Sequence, residues 1–275
     1  MNKFKVFFTA IAFFWLWGCG FWAAFHYFST GDIAWLGLLI NAWALPVWML
    51  LRYRWPLKYR GDLREPVAFA AVLAGLAIAL LSDSEKGQPV YLAIYNLFIL
   101  LIYLFHLSAF RHPDMPAVDA SFPALVTAAG NSWNAAEYAR LSDFAGLVLV
   151  FLRGSFCADS RAQLAQLPEL LPALKKRGVG LVIITGEDPA RCSSRLPKPP
   201  EFELLQLSAE APANQPFIAS GGVPMRLSSR LSAAIRPSQW LLDSEGFVLW
   251  RHLPANYRIP GDVEQLRGQL FRLED

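Results

Sequence analysis

Leu147-Val-Leu-Val-Phe-Leu-Arg-Gly-Ser-Phe-Cys-Ala-Asp-Ser160 is the stretch that decides how the second half of this chain folds. Its first six residues are apolar without a break and partly β-branched, the pattern of a strand buried on both faces, as in a parallel sheet. The turn Arg153-Gly-Ser-Phe156 ends the strand, and a helix should follow. Leu164, Leu167, Leu171 and Leu174 recur at helical spacing up to Lys175-Lys-Arg-Gly178, where basic residues and a glycine suit a helix C-terminus. Pro168 and Pro172 should kink that helix. Val179-Gly-Leu-Val-Ile-Ile-Thr185 then reads as a second buried strand and completes a right-handed βαβ unit.

Farther on, Trp240-Leu-Leu-Asp243 and Phe247-Val-Leu-Trp250 flank Ser244-Glu-Gly246, a hairpin signal. The chain closes with an amphipathic helix opened by Asp262, with Gln265 placed for a capping box and Val263, Leu266 and Leu270 on one face. Strand, helix, strand, hairpin and helix make a thioredoxin-like order, an α/β domain expected over 113–275.

The first half has a different texture. Hydrophobic residues make up 55% of the 275, too many for an average soluble protein, and the excess lies before residue 111. A hydrocarbon core of ~30 Å takes about 20 apolar residues to cross, and four segments approach that length: 4–28, 33–51, 67–81 and 90–110. The third is the shortest. The expected architecture is thus an all-α four-helix membrane bundle over 1–112, with Trp and Tyr near the span ends and Ala68, Ala70, Ala71, Ala74, Gly75, Ala77 and Ala79 allowing close helix contact. The run from Val6 to Phe28 exceeds the apolar core of a signal peptide and reads as a retained span.

Lys3 and Lys5 stand at the start of the first segment, Arg52, Arg54, Lys58, Arg60 and Arg64 separate the second from the third, and Arg111 follows the fourth. Basic residues favour the cytoplasmic side, so the C-terminal domain is expected in the cytoplasm, at a bacterial inner (plasma) membrane. Loss of the third span would move it to the other side. The net charge of +3 comes largely from these clusters, and no stretch interleaves basic residues with exposed aromatics, which argues against nucleic-acid binding. Membrane lipid is the expected surrounding. His26, Asn41, Asn96 and His106 are the polar residues in or near the spans. The two histidines belong near opposite membrane faces, too far apart to ligate one haem, and interfacial or interhelical hydrogen bonding is the simpler role for all four.

The stretch from Leu141 to Leu164, with Phe156-Cys-Ala-Asp-Ser-Arg-Ala-Gln-Leu164 at its end, resembles the redoxin branch of the thioredoxin superfamily, the membrane-tethered thiol oxidoreductases and peroxiredoxin-like proteins. In those proteins a similar strand leads to an aromatic residue, a Cys-x-x-Cys and Arg-Ala-x-Leu. Arg236-Pro-Ser-Gln-Trp-Leu-Leu-Asp-Ser-Glu-Gly246 is similar to the family's proline, strand and Asp-x-x-Gly hairpin, and the match makes Pro237 the cis-proline facing the site. The resemblance spans about half the chain and leaves the membrane half unassigned.

Cys157 stands at the strand-to-helix junction, where free backbone N–H groups and the helix dipole favour a thiolate and lower its pKa. Arg153 and Arg161 would add positive potential. Ser160 occupies the second cysteine position, so the motif is Cys-x-x-Ser and a dithiol cycle within it is impossible. Two mechanisms survive: Cys157 alone forms mixed disulfides with a thiol partner such as glutathione or a protein disulfide, or Cys192 resolves it. Gly154 stands where the peroxidatic pattern has Thr or Ser. A different class of reading is equally open, a non-catalytic accessory or assembly subunit of a membrane protein complex that keeps the redoxin fold for docking. Quinone-linked enzymes of the vitamin K epoxide reductase type join a similar bundle to a thioredoxin domain, but they need cysteine pairs in the bundle. Here there is only Cys19, a packing residue. Three cysteines have neither the number nor the spacing for a zinc or iron–sulfur site, and no cofactor or metal is expected.

Overall fold

Every long apolar stretch of the first half forms a helix. A computed structural model describes residues 2–59, 61–83, 87–190, 202–219 and 234–273. The chain divides into Met1–Ala109 and Phe110–Asp275, slightly before the boundary read at 112.

The first unit holds α1 (Asn2–Thr30), α2 (Ile33–Arg54), α3 (Pro66–Ser82) and α4 (Gln88–Ile102), the last running on as a π-helical turn, Tyr103–Leu107. Among the described residues, three helices are long and apolar enough to cross a membrane, Phe7–Thr30, Ile33–Arg54 and Gln88–Leu107; Pro66–Ser82 is the shorter apolar helix that the sequence marks as weakest. Helix starts follow local chemistry. The Asp32 carboxylate accepts from Ala34 N at 2.9 Å and caps α2. Pro66 opens α3, where its missing N–H costs nothing.

Small residues let α2 and α3 touch backbone to backbone. A Cβ on Gly37 would lie 2.6 Å from Ala79 N, and one on Gly75 would lie 2.5 Å from Asn41 N, so neither site admits a side chain. Asn41 Nδ2 donates to Val72 O at 2.9 Å beside that contact. Asn96 accepts from Trp15 Nε1 at 3.0 Å and donates to the buried Cys19 Sγ at 3.5 Å. Both asparagines thus make interhelical bonds. His26, near the end of α1, stacks on Trp35 with ring centroids 4.2 Å apart, whereas the His106 carbonyl accepts from Lys5 Nζ at the start of α1. Some twenty residues of helix, on the order of 30 Å, separate the two histidines.

Arg52 departs from the sequence reading. Instead of lying in a polar loop it is buried in the last turn of α2, its Nη1 2.5 Å from Glu65 Oε1, while Glu65 Oε2 accepts from Trp48 Nε1 at 2.7 Å. Satisfying both carboxylate oxygens offsets the desolvation of the pair.

The second unit is built on a five-stranded sheet. Its strands are β3 (Gly146–Phe151), β4 (Val179–Thr185), β5 (Glu203–Gln206), β8 (Ser238–Asp243) and β9 (Val248–His252), in the order β5-β4-β3-β8-β9. A small β1–β2 hairpin (Leu125–Val126, Ser132–Trp133) and α5 (Ala135–Leu141) precede β3, and β6 (Ile218–Ala219) pairs with β7 (Ala234–Ile235) before β8. β3 runs parallel to β4, Leu147 opposite Gly180, and antiparallel to β8, Leu147 opposite Leu242; β4 and β5 are parallel. Three parallel strands and an antiparallel hairpin at one edge make this a thioredoxin-like α/β domain.

All six residues of β3 and all seven of β4 are buried because both sheet faces are covered. On one face Leu147, Leu149, Phe151 and Trp240 pack with Phe122, Phe217 and α5. On the other, Val148, Val150 and Leu241 pack under α6 (Ala158–Gln166), α7 (Leu171–Lys176) and α8 (Val263–Arg267). The single kinked helix expected after Cys157 is two helices. Pro168 and Pro172 each lack the N–H that a continuous helix needs, and a 3-10 turn at Leu167–Glu169 joins the pieces. At the hairpin, Asp243 Oδ1 accepts from Glu245 N and Phe247 N, and Gly246 takes φ +84°. Asp262 caps α8 by accepting from Glu264 N at 3.3 Å, but Gln265 does not return a bond to it, so the capping box is half made.

Candidate active site

The carboxyl ends of β3 and β4 place the candidate residues. β3 delivers Arg153, β4 delivers Glu187, and the turn between β3 and α6 delivers Gly154 to Cys157. Gly154 adopts φ +142°, and a Cβ there would come 2.6 Å from the Phe156 ring, which explains a glycine where the peroxidatic pattern has a hydroxyl residue. Two bonds pin the turn. Ser155 donates from both N and Oγ to the buried Glu187 carboxylate, each at 2.9 Å.

Cys157 is the N-cap residue of α6, with extended backbone (φ −90°, ψ 125°), and is only 6% exposed. The N–H groups of Ser160 and Asp159 point at its sulfur, as expected at a helix start. The outcome for acidity is nevertheless the reverse of the expected thiolate. Burial raises the thiol pKa most, the Asp159 carboxylate raises it further, and the Arg153 charge and the two N–H groups act against them without prevailing. Sγ lies 3.7 Å from Asp159 Oδ2 and donates its proton there. The resting group is a neutral thiol.

Among the described residues Arg153 is the one cation acting on that sulfur; Arg161, a turn into α6, is not among the groups that shift it. The Arg153 guanidinium lies 3.8 Å from the centroid of the Tyr257 ring and 5.5 Å from that of Phe156. Ser160, in the resolving position, accepts from Arg153 N at 3.2 Å and so holds the loop. Pro237 is buried just before β8, but the peptide preceding it is trans, in contrast to the expected cis-proline. The chain there is already extended: Ile235 N donates to Arg153 O and Arg236 N to Phe217 O, so strand-like bonds carry β7 directly into β8. Cys192 lies outside the described residues.

Asp159, Glu187 and Tyr257 complete the site and were not singled out in the sequence. Asp159 stands inside the Cys-x-x-Ser motif, but an acid in a first helical turn is ordinary dipole chemistry, which hides it. Nothing in the sequence marks Glu187 or Tyr257. Among the described residues no three His, Cys, Asp or Glu side chains group to hold a metal ion.

No protein-family model matches the chain, and no curated protein does. Solved structures match its C-terminal half. A thiol peroxidase from Chromobacterium violaceum is 18% identical, covering 61% of this chain and 93% of its own, with a TM-score of 0.40. AhpC of Mycobacterium bovis is 11% identical over 59% of this chain and 95% of its own, with a TM-score of 0.44. PrxQ of Xylella fastidiosa, as a mutant, is 14% identical over 59% of this chain and all of its own, with a TM-score of 0.42. These neighbours are redoxins of the peroxiredoxin and thioredoxin fold. The fold of the C-terminal unit rests on its own strand order and register.

Proposed function

We propose that the chain is a membrane-anchored, peroxiredoxin-like thiol oxidoreductase with a monothiol Cys-x-x-Ser site, its first four helices forming the anchoring bundle and its redoxin domain facing the cytoplasm at a bacterial inner membrane. One observation carries the reading: Cys157 caps α6 at the carboxyl end of the central strand, with a proton acceptor, Asp159, and a cation, Arg153, beside it. The chemistry needs one protein thiol. Cys157 sulfur attacks a hydroperoxide, its proton passes by way of Asp159 to the departing oxygen, and a sulfenic acid and an alcohol result. A thiol such as glutathione condenses with the sulfenic acid, releasing water and leaving a mixed disulfide. A second thiol displaces Cys157 as a thiol and departs as the disulfide.

Peroxide consumption by the purified full chain with glutathione tests this. Wild type is expected to turn over and Cys157→Ser to be inactive while still folded at neutral pH; equal rates would overturn the reading.

The burial and raised pKa of Cys157 favour a second reading, an accessory subunit that uses the domain to dock within a membrane protein complex. Under it, Cys157→Ser leaves biological function intact and native sizing after mild detergent extraction finds the chain in a larger assembly. A protein that always runs alone would rule this out.

A further inference from the structure

We infer that the connector between α2 and α3 is a binding face for the headgroup of an anionic phospholipid. The inference rests on the membrane reading above. The connector is a built cap. Lys58 N and Tyr59 N both donate to Trp55 O, closing a turn. Tyr59 packs edge-on against Trp48, centroids 5.7 Å apart, and Trp48 in turn donates to Glu65. Gly61 lies so close to the buried Arg52 guanidinium that a Cβ would overlap it, at 1.8 Å from Nη2. The Arg52–Glu65 pair therefore holds the connector from beneath.

What this cap presents outward is mainly basic and aromatic, with Asp62 its one exposed carboxylate among the described residues. Arg54, Lys58 and Arg64 are exposed and make no ion pair among the described residues. The Arg54 guanidinium lies 5.5 Å from the Trp55 ring and the Lys58 ammonium 5.5 Å from the Tyr59 ring, so each charge rides on an aromatic face. Trp55 and Leu57 are about half exposed, at 48% and 54%. Amphipathic rings with cations alongside suit the headgroup layer, where the phosphodiester takes the charge and the ring and Leu57 enter the acyl boundary. The opposite end of the same helices carries the acidic caps Asp32 and Asp83. A free phosphate shares the charge chemistry, but the exposed Trp55 and Leu57 select a lipid.

The test titrates the detergent-purified full chain with phosphatidylglycerol or phosphatidylcholine and counts retained lipids by native mass spectrometry. Phosphatidylglycerol should be retained preferentially and lost progressively with added salt. Arg54→Gln, Lys58→Gln and Arg64→Gln together should weaken it at least tenfold, since each basic residue near an anionic surface contributes roughly a factor of five. Arg54→Lys with Arg64→Lys should keep it. Equal retention of the two lipids, unchanged retention by the triple variant, or displacement by equimolar glycerol phosphate would each overturn the inference. Alkaline carbonate extraction separates its failure from that of the membrane reading: a chain that stays in the pellet without lipid preference defeats the inference alone, and a chain released from the membrane defeats both.

Discussion

The two units differ in what they leave exposed. In the helical unit, glycines and alanines bring α2 and α3 together, and beside the buried Leu16, Leu38, Leu45, Leu100 and Leu104 many large apolar side chains face outward, with Phe28 83% and Leu81 88% exposed. In the thioredoxin-like unit Trp240, Phe151 and Phe217 are sealed inside and every residue of the central strand is covered. Under the proposed membrane reading, the difference is one of solvent. Where lipid is the surroundings, apolar burial provides no drive and close backbone approach must hold the helices together; in water, burial itself does so.

Breaking this contrast should show first in the core of the thioredoxin-like unit. Trp240→Ala removes a fully buried indole that also donates to Ser238 Oγ, and should cost about 3–5 kcal/mol of domain stability by denaturant melting. Phe28→Ala, a comparable truncation on an exposed face of α1, should leave stability nearly unchanged. A core-sized cost at Phe28 would mean that it is buried in the folded protein.

The converse test adds atoms. Gly75→Val places a side chain where Asn41 N lies 2.5 Å away, so α2 and α3 must separate, at a cost of roughly 1–3 kcal/mol or more. Thermal stability of the full chain in detergent reads it. Substituting the exposed Gly18, where a Cβ meets nothing within 4 Å, is the silent control.

At the site the expected effect is one of rate and pH. Asp159→Asn removes a carboxylate that raises the Cys157 pKa, so alkylation at neutral pH should quicken and its midpoint move to lower pH. The sign for stability follows from linkage: a thiol whose folded pKa is raised stabilises the fold below its unfolded pKa, and that contribution is lost as pH climbs through the folded value. Cys157→Ser should therefore flatten the alkaline limb of the melting profile. His252 gives a smaller effect of opposite sense. Burial lowers its pKa, against a bond to the Ile259 backbone that raises it, so the fold is favoured above the usual histidine range near ~6.5 and loses that contribution as pH falls through the depressed value. His252→Gln should flatten the acid limb.

Much of the fold was legible because long-range burial leaves a short-range pattern. Leu147–Leu152, Val179–Thr185 and the Asp243–Gly246 turn each announce their state within a few residues. Glu203-Leu-Leu-Gln206 escaped, since four residues at a sheet edge carry no period to read, and Arg52 looked like any loop cation until Glu65 folded back onto it. The site was half legible. Cys157 at a helix start follows from the strand and turn, but its protonation depends on how deeply it is buried and on Asp159, and the trans Pro237 depends on strand bonds that the sequence motif does not encode.

The central claim is that Cys157 is the redox centre of a monothiol redoxin. Intact-mass analysis of the full chain, exposed to a hydroperoxide and then to glutathione, tests it most directly. The account predicts one glutathione per chain, mapped to Cys157 and absent from Cys157→Ser. An unmodified chain, or an adduct confined to Cys19 or Cys192, would contradict it.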